Sequence, residues 1–531
     1  MCDGERHENA TFYKLVTIGP AFIGSEPAYM YTALVVLYCT ILVVLCAYGV
    51  HRAHLAFACL RHRRRLAQLA VTVPVAEDRL PHVTVQLPLY NEATVARRLI
   101  EATGNLDYPK DRLEIQVLDD STDETVSIAA AAVQSLRSRG IDAVYVRRPD
   151  RHGYKAGALD YGLTSAKGEL IAIFDADFVP QQTFLRDVVG HFTDPKIGMV
   201  QTRWGHLNRA TNVLTSIQAL MLDGHHLVEN QARFATNCMF NFSGTGGIWR
   251  RRAIDEAGGW QHDTLTEDLD LSYRAQLAGY RFIYRADVVT PAELPEDMSA
   301  FRAQQYRWAK GTVQTARKLL GRVLKSNAGL PQRIEAAFHM LPHFAYPMMV
   351  LLTIVLLPAL VFMPATDVRT LLLVDLPLCF GATGSLLSFY SMAEVAQGRS
   401  SLNALKKLPM LIALGAGLAP HLSAAVWDGL RSMAGEFVRT PKRGVMQGRY
   451  RQYAKLPWSE LSLGAVSVAS VVASITTGHY FATPFAMLFA AGYGYVALLV
   501  IREQFLGRRL ALAAEALEAE AANDSEMARA A

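Results

Sequence analysis

The chain has 531 residues, enough for two or three domains, and its net charge is only +5. Hydrophobic residues make up 51% of it and charged residues 19%, which excludes an ordinary soluble composition and indicates membrane segments attached to a polar domain. So small a net charge gives no reason to expect nucleic acid. The basic residues cluster beside apolar runs, where membrane lipid headgroups are the expected partner.

The first apolar run covers residues 28–50 and is long enough to cross the hydrocarbon core of a bilayer. Acidic residues precede it, whereas a basic run at residues 61–65 follows it. The positive-inside rule therefore predicts an extracytoplasmic N-terminus at residues 1–27, a first transmembrane helix at 28–50 and a basic cytoplasmic linker at 51–80.

Residues 81–298 have the pattern of a soluble α/β domain. Short apolar runs at residues 83–88, 114–118 and 170–174 predict strands of a parallel sheet with helices on both faces. Helical spacing at residues 125–139 separates two of these runs. The alternation predicts a doubly wound, Rossmann-like fold whose ligands bind beyond the carboxyl ends of the strands.

Two acidic pairs follow directly on predicted strands: Asp119 with Asp120, and Asp175 with Asp177. We expect both pairs in one cleft, where their charges repel unless a cation shares the site. Carboxylate oxygens suit Mg²⁺ or Mn²⁺, and such an ion can hold a nucleotide diphosphate. Asp120 is expected at the base or ribose, and Asp175 and Asp177 at the ribose and the metal. For a single Asp, a helix N-cap or loop carboxylate is the alternative.

Lys155 lies between these pairs and is flanked by small residues, so it is a candidate for neutralising phosphate charge. Glu267 and Asp268 come next along the chain. Transfer of a group to a hydroxyl needs a base, because an alcohol that keeps its proton is a poor nucleophile. Asp268 is the candidate base, with Glu267 beside it. An ordinary helix start is the alternative, and it is compatible with this role because a capped start would hold the base still.

Gln304, Arg307 and Trp308 have the spacing i, i+3, i+4, so a helix would place them on one face. Arginine can pair with a diphosphate, and tryptophan offers a flat apolar surface to a sugar ring. An amphipathic helix at the membrane surface is the alternative, supported by Arg302 and Lys310 nearby, and both readings can hold. We predict amphipathic interface helices at residues 299–335.

Apolar runs return in residues 336–502, the predicted C-terminal transmembrane region. Four runs are predicted to span: 336–362, 370–392, 461–480 and 482–501. The run at 408–427 is rich in glycine and interrupted by Pro420, so residues 403–428 are predicted as an interfacial or re-entrant helix. This gives five spans and places the basic loop 429–459 and the tail 503–531 in the cytoplasm. Six spans is the alternative.

These motifs resemble those of family 2 processive glycosyltransferases, the cellulose, hyaluronan and chitin synthases. Within that group the chain is most similar to the cellulose-synthase-like mannan and glucomannan synthases. The resemblance runs from about Pro81 to Trp308 and includes residues 201–204 (Gln-Thr-Arg-Trp) and 242–247 (Phe-Ser-Gly-Thr-Gly-Gly). It implies a GT-A domain, an inverting single displacement, and a nucleotide-sugar donor with Mg²⁺ or Mn²⁺.

The resemblance also implies roles for particular residues. Asp120 and Lys155 would bind the nucleotide, Asp177 the metal, and Asp268 would be the general base. The helix with Gln304, Arg307 and Trp308 would serve the acceptor end and the diphosphate. The acceptor site would be lined by Ser243, Gly244 and Thr245.

Residues 437–442 loosely resemble the gating loop of these synthases, commonly Phe-x-Val-Thr-x-Lys. Here Val438 follows Phe437 directly and Arg439 stands where valine is expected. This departure leaves donor-dependent closure by the loop unsupported.

The activity implied is polymerisation of a β-linked, β-1,4 glucan or mannan from UDP-glucose or GDP-mannose onto a growing glycan acceptor, with export of the chain. The enzyme is expected in a plasma (inner) or Golgi membrane with its catalytic domain in the cytoplasm. Single transfer to a lipid such as ceramide or a polyprenyl phosphate is the alternative. A transporter with an inactive domain is a third reading, and the intact set of carboxylates argues against it.

Overall fold

The computed structural model describes residues 26–69, 71–362, 376–433, 435 and 456–530. Most of the predicted extracytoplasmic segment lies outside these ranges, and so do the gating-loop-like residues 437–442 and most of the predicted basic loop 429–459. The described chain begins with α1 (Glu26–Arg61) and α2 (Arg63–Leu69), ahead of the sheet domain.

A seven-stranded mixed sheet forms the centre of the domain, in the order β3-β2-β1-β4-β6-β5-β7. Its strands are β1 (Val83–Leu89), β2 (Leu113–Asp119), β3 (Asp142–Val146), β4 (Leu170–Ile173), β5 (Ile197–His206), β6 (Gly247–Arg250) and β7 (Arg281–Ala292). All neighbours run parallel except β6, which is antiparallel to both β4 and β5. The three strands and the mostly parallel, GT-A-like sheet predicted from the sequence are confirmed.

Helices cover both faces of the sheet, which explains why β4 (Leu170–Ile173) is an uninterrupted apolar run. The domain helices are α3 (Ala96–Thr103), α4 (Thr125–Ser138), α5 (Tyr154–Leu163), α6 (Phe184–Val188), α7 (Val213–Gly224), α8 (Asn230–Ala235), α9 (Arg251–Glu256) and α10 (Glu267–Leu277). Leu99 and Val133 from α3 and α4 pack against Val85 on one face. Leu159 and Leu271 from α5 and α10 join the core of the other face.

The remaining helices form a second, helical region. They are α11 (Met298–Leu324), α12 (Leu330–Met340), α13 (Ala345–Phe362), α14 (Leu376–Val395), α15 (Ser401–Arg431), α16 (Trp458–Thr476) and α17 (Thr483–Ala530). α11 lies between the two regions, since it contacts α10 on the domain side and both α15 and α17 on the other.

Five helices among the described residues are long and apolar enough to cross a membrane: Thr32–Arg61, Pro342–Phe362, Ser401–Arg431, Trp458–Thr476 and Thr483–Gly507. Ser401–Arg431 includes the run predicted as an interfacial or re-entrant helix. It is one continuous helix of 31 residues that contains Pro409 and Pro420. Whether it crosses the membrane or lies at its surface stays a prediction. The predicted span 370–392 begins before the described residues resume at 376. The number of helices that cross therefore stays a prediction.

Candidate active site

All the predicted site residues except Asp119 and Thr245 line a single cleft. The cleft opens beyond the carboxyl ends of β1, β2 and β4, where a doubly wound sheet places its ligands. The predicted residues that line it are Asp120, Lys155, Asp175, Asp177, Ser243, Gly244, Glu267, Asp268, Gln304, Arg307 and Trp308. They come from segments almost 190 positions apart in the chain, so the fold gathers them.

Asp119 and Thr245 are not among the residues that line this cleft, so their predicted contact with ligands stays a prediction. Asp119 Oδ1 accepts the Ser121 backbone N–H at 2.9 Å, and its Oδ2 accepts the Tyr145 hydroxyl at 2.6 Å. Thr245 Oγ1 accepts the Asp175 backbone N–H at 2.9 Å. Both side chains are about 1% exposed or less, so they fix the backbone of the neighbouring site residues.

Asp120 forms a bidentate ion pair with Arg148. Arg148 Nε lies 3.0 Å from Asp120 Oδ1, and Nη2 contacts the other carboxylate oxygen. The same guanidinium donates to the carbonyls of His152 and Tyr154 at 2.8 and 3.0 Å. Arg148 therefore ties the strand end that carries Asp120 to the turn that leads into α5.

Lys155 lies close to two carboxylates of the cleft. Its Nζ lies 2.5 Å from Asp175 Oδ1, donates to the Gly244 carbonyl at 2.9 Å and lies 4.0 Å from Glu267 Oε1. The turn before it is left-handed, with φ of 69° at Gly153 and 51° at Tyr154. Burial by itself would lower the pKa of Lys155, but the charges of Asp175 and Glu267 outweigh it and raise that pKa. Lys155 therefore stays protonated.

Glu267 and Asp268 form the first turn of α10. Burial raises the pKa of Asp268 to about 7, and the charge of Glu267 adds to the effect while Lys155 opposes it. Burial also raises the pKa of Glu267. A carboxyl group with a pKa near neutrality suits a general base, because such a group can both hold and release a proton at working pH.

Gly244 brings the backbone close to the candidate base. Its φ is +82°, and a Cβ built there would lie 3.0 Å from Asp268 Oδ2 and 3.6 Å from Lys155 Nζ. Arg307 is a second cation beside these carboxyl groups. Burial lowers the pKa of Arg307, although the charges of Glu267, Asp175 and Asp268 act to raise it. Lys155 and Arg307 thus act on the same three carboxyl groups, Asp175, Glu267 and Asp268.

Two tryptophans stand at one end of the cleft. The ring centroids of Trp204 and Trp308 are 6.4 Å apart with the planes at 54°, and Phe178 packs edge-on against Trp204 at 5.3 Å. Both indoles line the cleft. They provide flat apolar surfaces of the kind on which sugar rings stack.

Several lining residues were not predicted from the sequence, among them Tyr90, Glu92, Arg151 and His206. The Arg151 guanidinium lies 3.3 Å from the centroid of the Tyr90 ring. Tyr90 and Glu92 follow β1 directly, so the rule that located Asp120 and Asp175 at strand ends could also have found them. Arg151 lies in the loop between β3 and α5, and only its place in that basic loop could have pointed to it.

Asp175 and Asp177 are the residues of the cleft that could hold a metal ion. Among the described residues, three or more His, Cys, Asp or Glu side chains nowhere cluster closely enough to hold a metal ion. A pair of carboxylates nevertheless fits Mg²⁺ or Mn²⁺, because such ions keep several waters and bind through one or two carboxylates and a ligand's phosphates. The donor set therefore fits a metal that arrives with a nucleotide diphosphate.

Residues 170–385 match the family model described as glycosyl transferase family group 2. This match covers less than half of the chain. Its relatives include a probable glucomannan 4-beta-mannosyltransferase 7 of Oryza sativa subsp. japonica, 44% identical over 249 residues, 46% of this chain and 43% of the relative. Glucomannan 4-beta-mannosyltransferase 2 of Arabidopsis thaliana is 42% identical over 257 residues, 48% of each chain. The chain thus matches less than half the length of these relatives.

Solved structures similar to this chain include two complexes with nucleotide sugars. The mannosyltransferase PcManGT from Pyrobaculum calidifontis, in complex with GDP-Man and Mn²⁺, is 23% identical and covers 66% of this chain and 98% of its own, with a TM-score of 0.47. S. aureus TarS 1-349 in complex with UDP-GlcNAc is 17% identical and covers 66% of this chain and 89% of its own, with a TM-score of 0.34.

Proposed function

We propose that the chain is a membrane-embedded, inverting glycosyltransferase that polymerises a β-1,4-linked mannan or glucan from a nucleotide sugar. The observation that carries this proposal is the meeting of Asp120, Lys155, Asp177, Asp268 and Arg307 in one cleft. These residues supply acceptors for a nucleotide, cations for a diphosphate, a metal ligand and a base. The relatives named as glucomannan mannosyltransferases support the same activity.

The donor would lie with its nucleotide near Asp120 and its diphosphate between Lys155 and Arg307. The carboxylate of Asp120 is held in place by Arg148 and can accept from a base or ribose. The names of the relatives favour GDP-mannose over UDP-glucose as the donor. Mg²⁺ or Mn²⁺ held by Asp175 and Asp177 would neutralise the charge that develops on the departing diphosphate.

Asp268 would act as the general base. In its ionised form it accepts the proton of an acceptor hydroxyl, and the freed oxygen attacks the anomeric carbon from the face opposite the diphosphate. A new carbon–oxygen bond to the acceptor forms while the bond to the phosphate oxygen breaks. The donor's α configuration therefore becomes a β linkage. Lys155 and Arg307 stabilise the negative charge of the leaving group, because they stay cationic beside it.

The acceptor end of the growing glycan would rest against Trp204 and Trp308, with Gln304, Ser243 and Gly244 nearby. A polar chain cannot cross hydrocarbon unaided, since each hydroxyl would lose water without a replacement partner. We therefore propose that the helical region exports the product. Basic residues after α1 support a cytoplasmic sheet domain at a plasma (inner) or Golgi membrane. We take residues 81–298 as the catalytic domain, 299–335 as interface helices and 336–502 as the transmembrane region.

The experiment that tests this proposal incubates the purified full chain in lipid nanodiscs with labelled GDP-mannose or UDP-glucose and Mn²⁺. The product is then sized by gel filtration and digested with linkage-specific hydrolases. We expect a polymer cut by a β-1,4-mannanase or a β-1,4-glucanase. Label confined to a lipid carrying one sugar would support the single-transfer alternative, and an absence of transfer from either donor would contradict the proposal.

A further inference from the structure

The helix that carries Gln304, Arg307 and Trp308 is held at its start by a residue of the last helix. Glu503 of α17 accepts the backbone N–H groups of Met298 and Ser299 at 2.6 and 2.9 Å. It also accepts the Ser299 hydroxyl at 2.6 Å. The next N–H of α11, that of Ala300, goes to the side chain of Asp297 at 2.7 Å. The first three N–H groups of α11 are therefore all bound by carboxylates.

A second carboxylate of the helical region holds α11 one turn further along. Arg302 Nη2 lies 2.8 Å from Glu460 Oε1 of α16, and the side chains are only 13% and 0% exposed. Tyr306 contacts Asp428 of α15, and Arg317 donates to the Gly429 carbonyl at 2.9 Å. Three different helices of the region thus fix α11.

These contacts lie close to the catalytic residues of α11. Arg307 is nine residues after Met298, which is about 14 Å along an α-helix. A continuous helix behaves as a stiff rod, so a shift or tilt at its start moves Arg307 and Trp308 relative to residues of the sheet domain. A carboxylate at a helix N-terminus is favoured both by the free N–H groups and by the helix dipole, so its loss frees that end of the helix.

We propose that Glu503 is a positioning residue. It holds α11 in the position in which Arg307 contacts the diphosphate and Trp308 contacts the acceptor. This inference rests on the proposed function of the cleft. With this role of Glu503, α17 contributes to the geometry of the proposed active site although none of its described residues lines the cleft. A glutamate that only stabilised the fold would change the folded fraction but not the affinities of the folded molecules.

The test compares Glu503→Ala and Glu503→Gln with Arg502→Gln, a matched control at the adjacent, exposed position of the same helix. The acceptor KM of the folded fraction is expected to rise about tenfold in Glu503→Ala, the factor that corresponds to one lost charge-assisted hydrogen bond. Glu503→Gln keeps one acceptor oxygen and should show a smaller rise. Arg502→Gln should match the wild type.

A second readout does not depend on turnover. Because Arg307 faces the diphosphate, Glu503→Ala should weaken binding of GDP or UDP while leaving binding of GMP or UMP unchanged. Ser299→Ala, combined with Glu503→Ala in a double-mutant cycle, should be non-additive on the diphosphate affinity, because the two side chains are in contact.

The outcomes separate this proposal from the proposed function. An unchanged ratio of diphosphate to monophosphate affinity in Glu503→Ala would overturn the positioning role, whether or not the wild type forms product. A loss of kcat that merely follows the folded fraction, with acceptor KM unchanged, would overturn it as well. Failure of the wild type to transfer sugar would count against the glycosyltransferase proposal alone.

Discussion

Lys155 Nζ lies 2.5 Å from Asp175 Oδ1, and this ion pair joins the first turn of α5 to the loop after β4. The same ammonium group is 4.0 Å from Glu267. One cation therefore compensates carboxylates from two separate elements in the middle of the cleft. The pair also holds Asp175 in the position from which it would share a metal ion with Asp177.

Replacing Lys155 with methionine should weaken diphosphate binding, because the cation that contacts Asp175 and lies 4.0 Å from Glu267 would be lost. We expect a loss of roughly tenfold or more in affinity for GDP or UDP, on the scale of a charge-assisted hydrogen bond. Isothermal titration calorimetry with and without Mn²⁺ measures it. Lys167→Met, which removes an exposed lysine that pairs with Asp142 at the surface, is the control. Equal affinities in both variants would contradict the role of Lys155.

The dependence of activity on pH follows from Asp268. Its pKa is raised to about 7 by burial and by Glu267, so the ionised form that acts as base grows as pH rises through 7. We expect kcat/KM, which reports the free enzyme, to fall about tenfold per pH unit below that value. A profile flat between pH 5 and 8 would contradict the assignment.

The same raised pKa means that ionisation of Asp268 lowers the stability of the unliganded protein as pH rises from about 4 to 7.

Asp177→Ala should remove the response of donor binding to metal. Wild-type affinity for a nucleoside diphosphate is expected to rise when Mn²⁺ is added, because the ion bridges carboxylate and phosphate oxygens. In the variant, the affinities with Mn²⁺ and with a chelator should converge. Asp119→Asn is an informative comparison, since Asp119 lies behind the lining and should keep the metal response. A full metal response in Asp177→Ala would exclude this residue as a ligand.

Gly244→Ala should lower kcat with little effect on nucleotide binding. The added Cβ would lie 3.0 Å from Asp268 Oδ2, and the φ of +82° strains any residue with a side chain. The methyl group would therefore displace the candidate base. Steady-state kinetics and nucleotide titration on the same preparation measure the two effects. A kcat equal to that of the wild type would show that the backbone approach to Asp268 is not needed.

The strands and the strand-end carboxylates could be predicted because β1, β2 and β4 are buried on both faces and read as apolar runs. The position of Asp119 outside the cleft lining could not be predicted from spacing alone. Successive side chains of a strand point to opposite sides, so Asp119 turns toward Tyr145 while its neighbour Asp120 reaches the cleft. The antiparallel β6 has only Ile248 and Trp249 as apolar residues between Gly247 and Arg250, so it does not form a recognisable apolar run.

Contacts between segments that are distant in the chain could not be predicted from the sequence. The partner of Asp120, Arg148, is set by how the loop before α5 folds back, and no spacing rule encodes that. Likewise, the hydrogen bond that Glu503 accepts from the start of α11 depends on how the helices pack. The run in α15 contains Pro420, yet neighbouring helices and side chains can satisfy the backbone that a proline frees, and the helix continues through it.

The most direct test of the central claim is a paired measurement of polymer formation and nucleotide binding in the wild type and in Asp268→Asn. The account predicts polymer from the wild type, none detectable from the variant, and nearly equal nucleotide affinity in the two. Polymer formation by Asp268→Asn at the wild-type rate, or a variant that loses nucleotide binding together with activity, would contradict it.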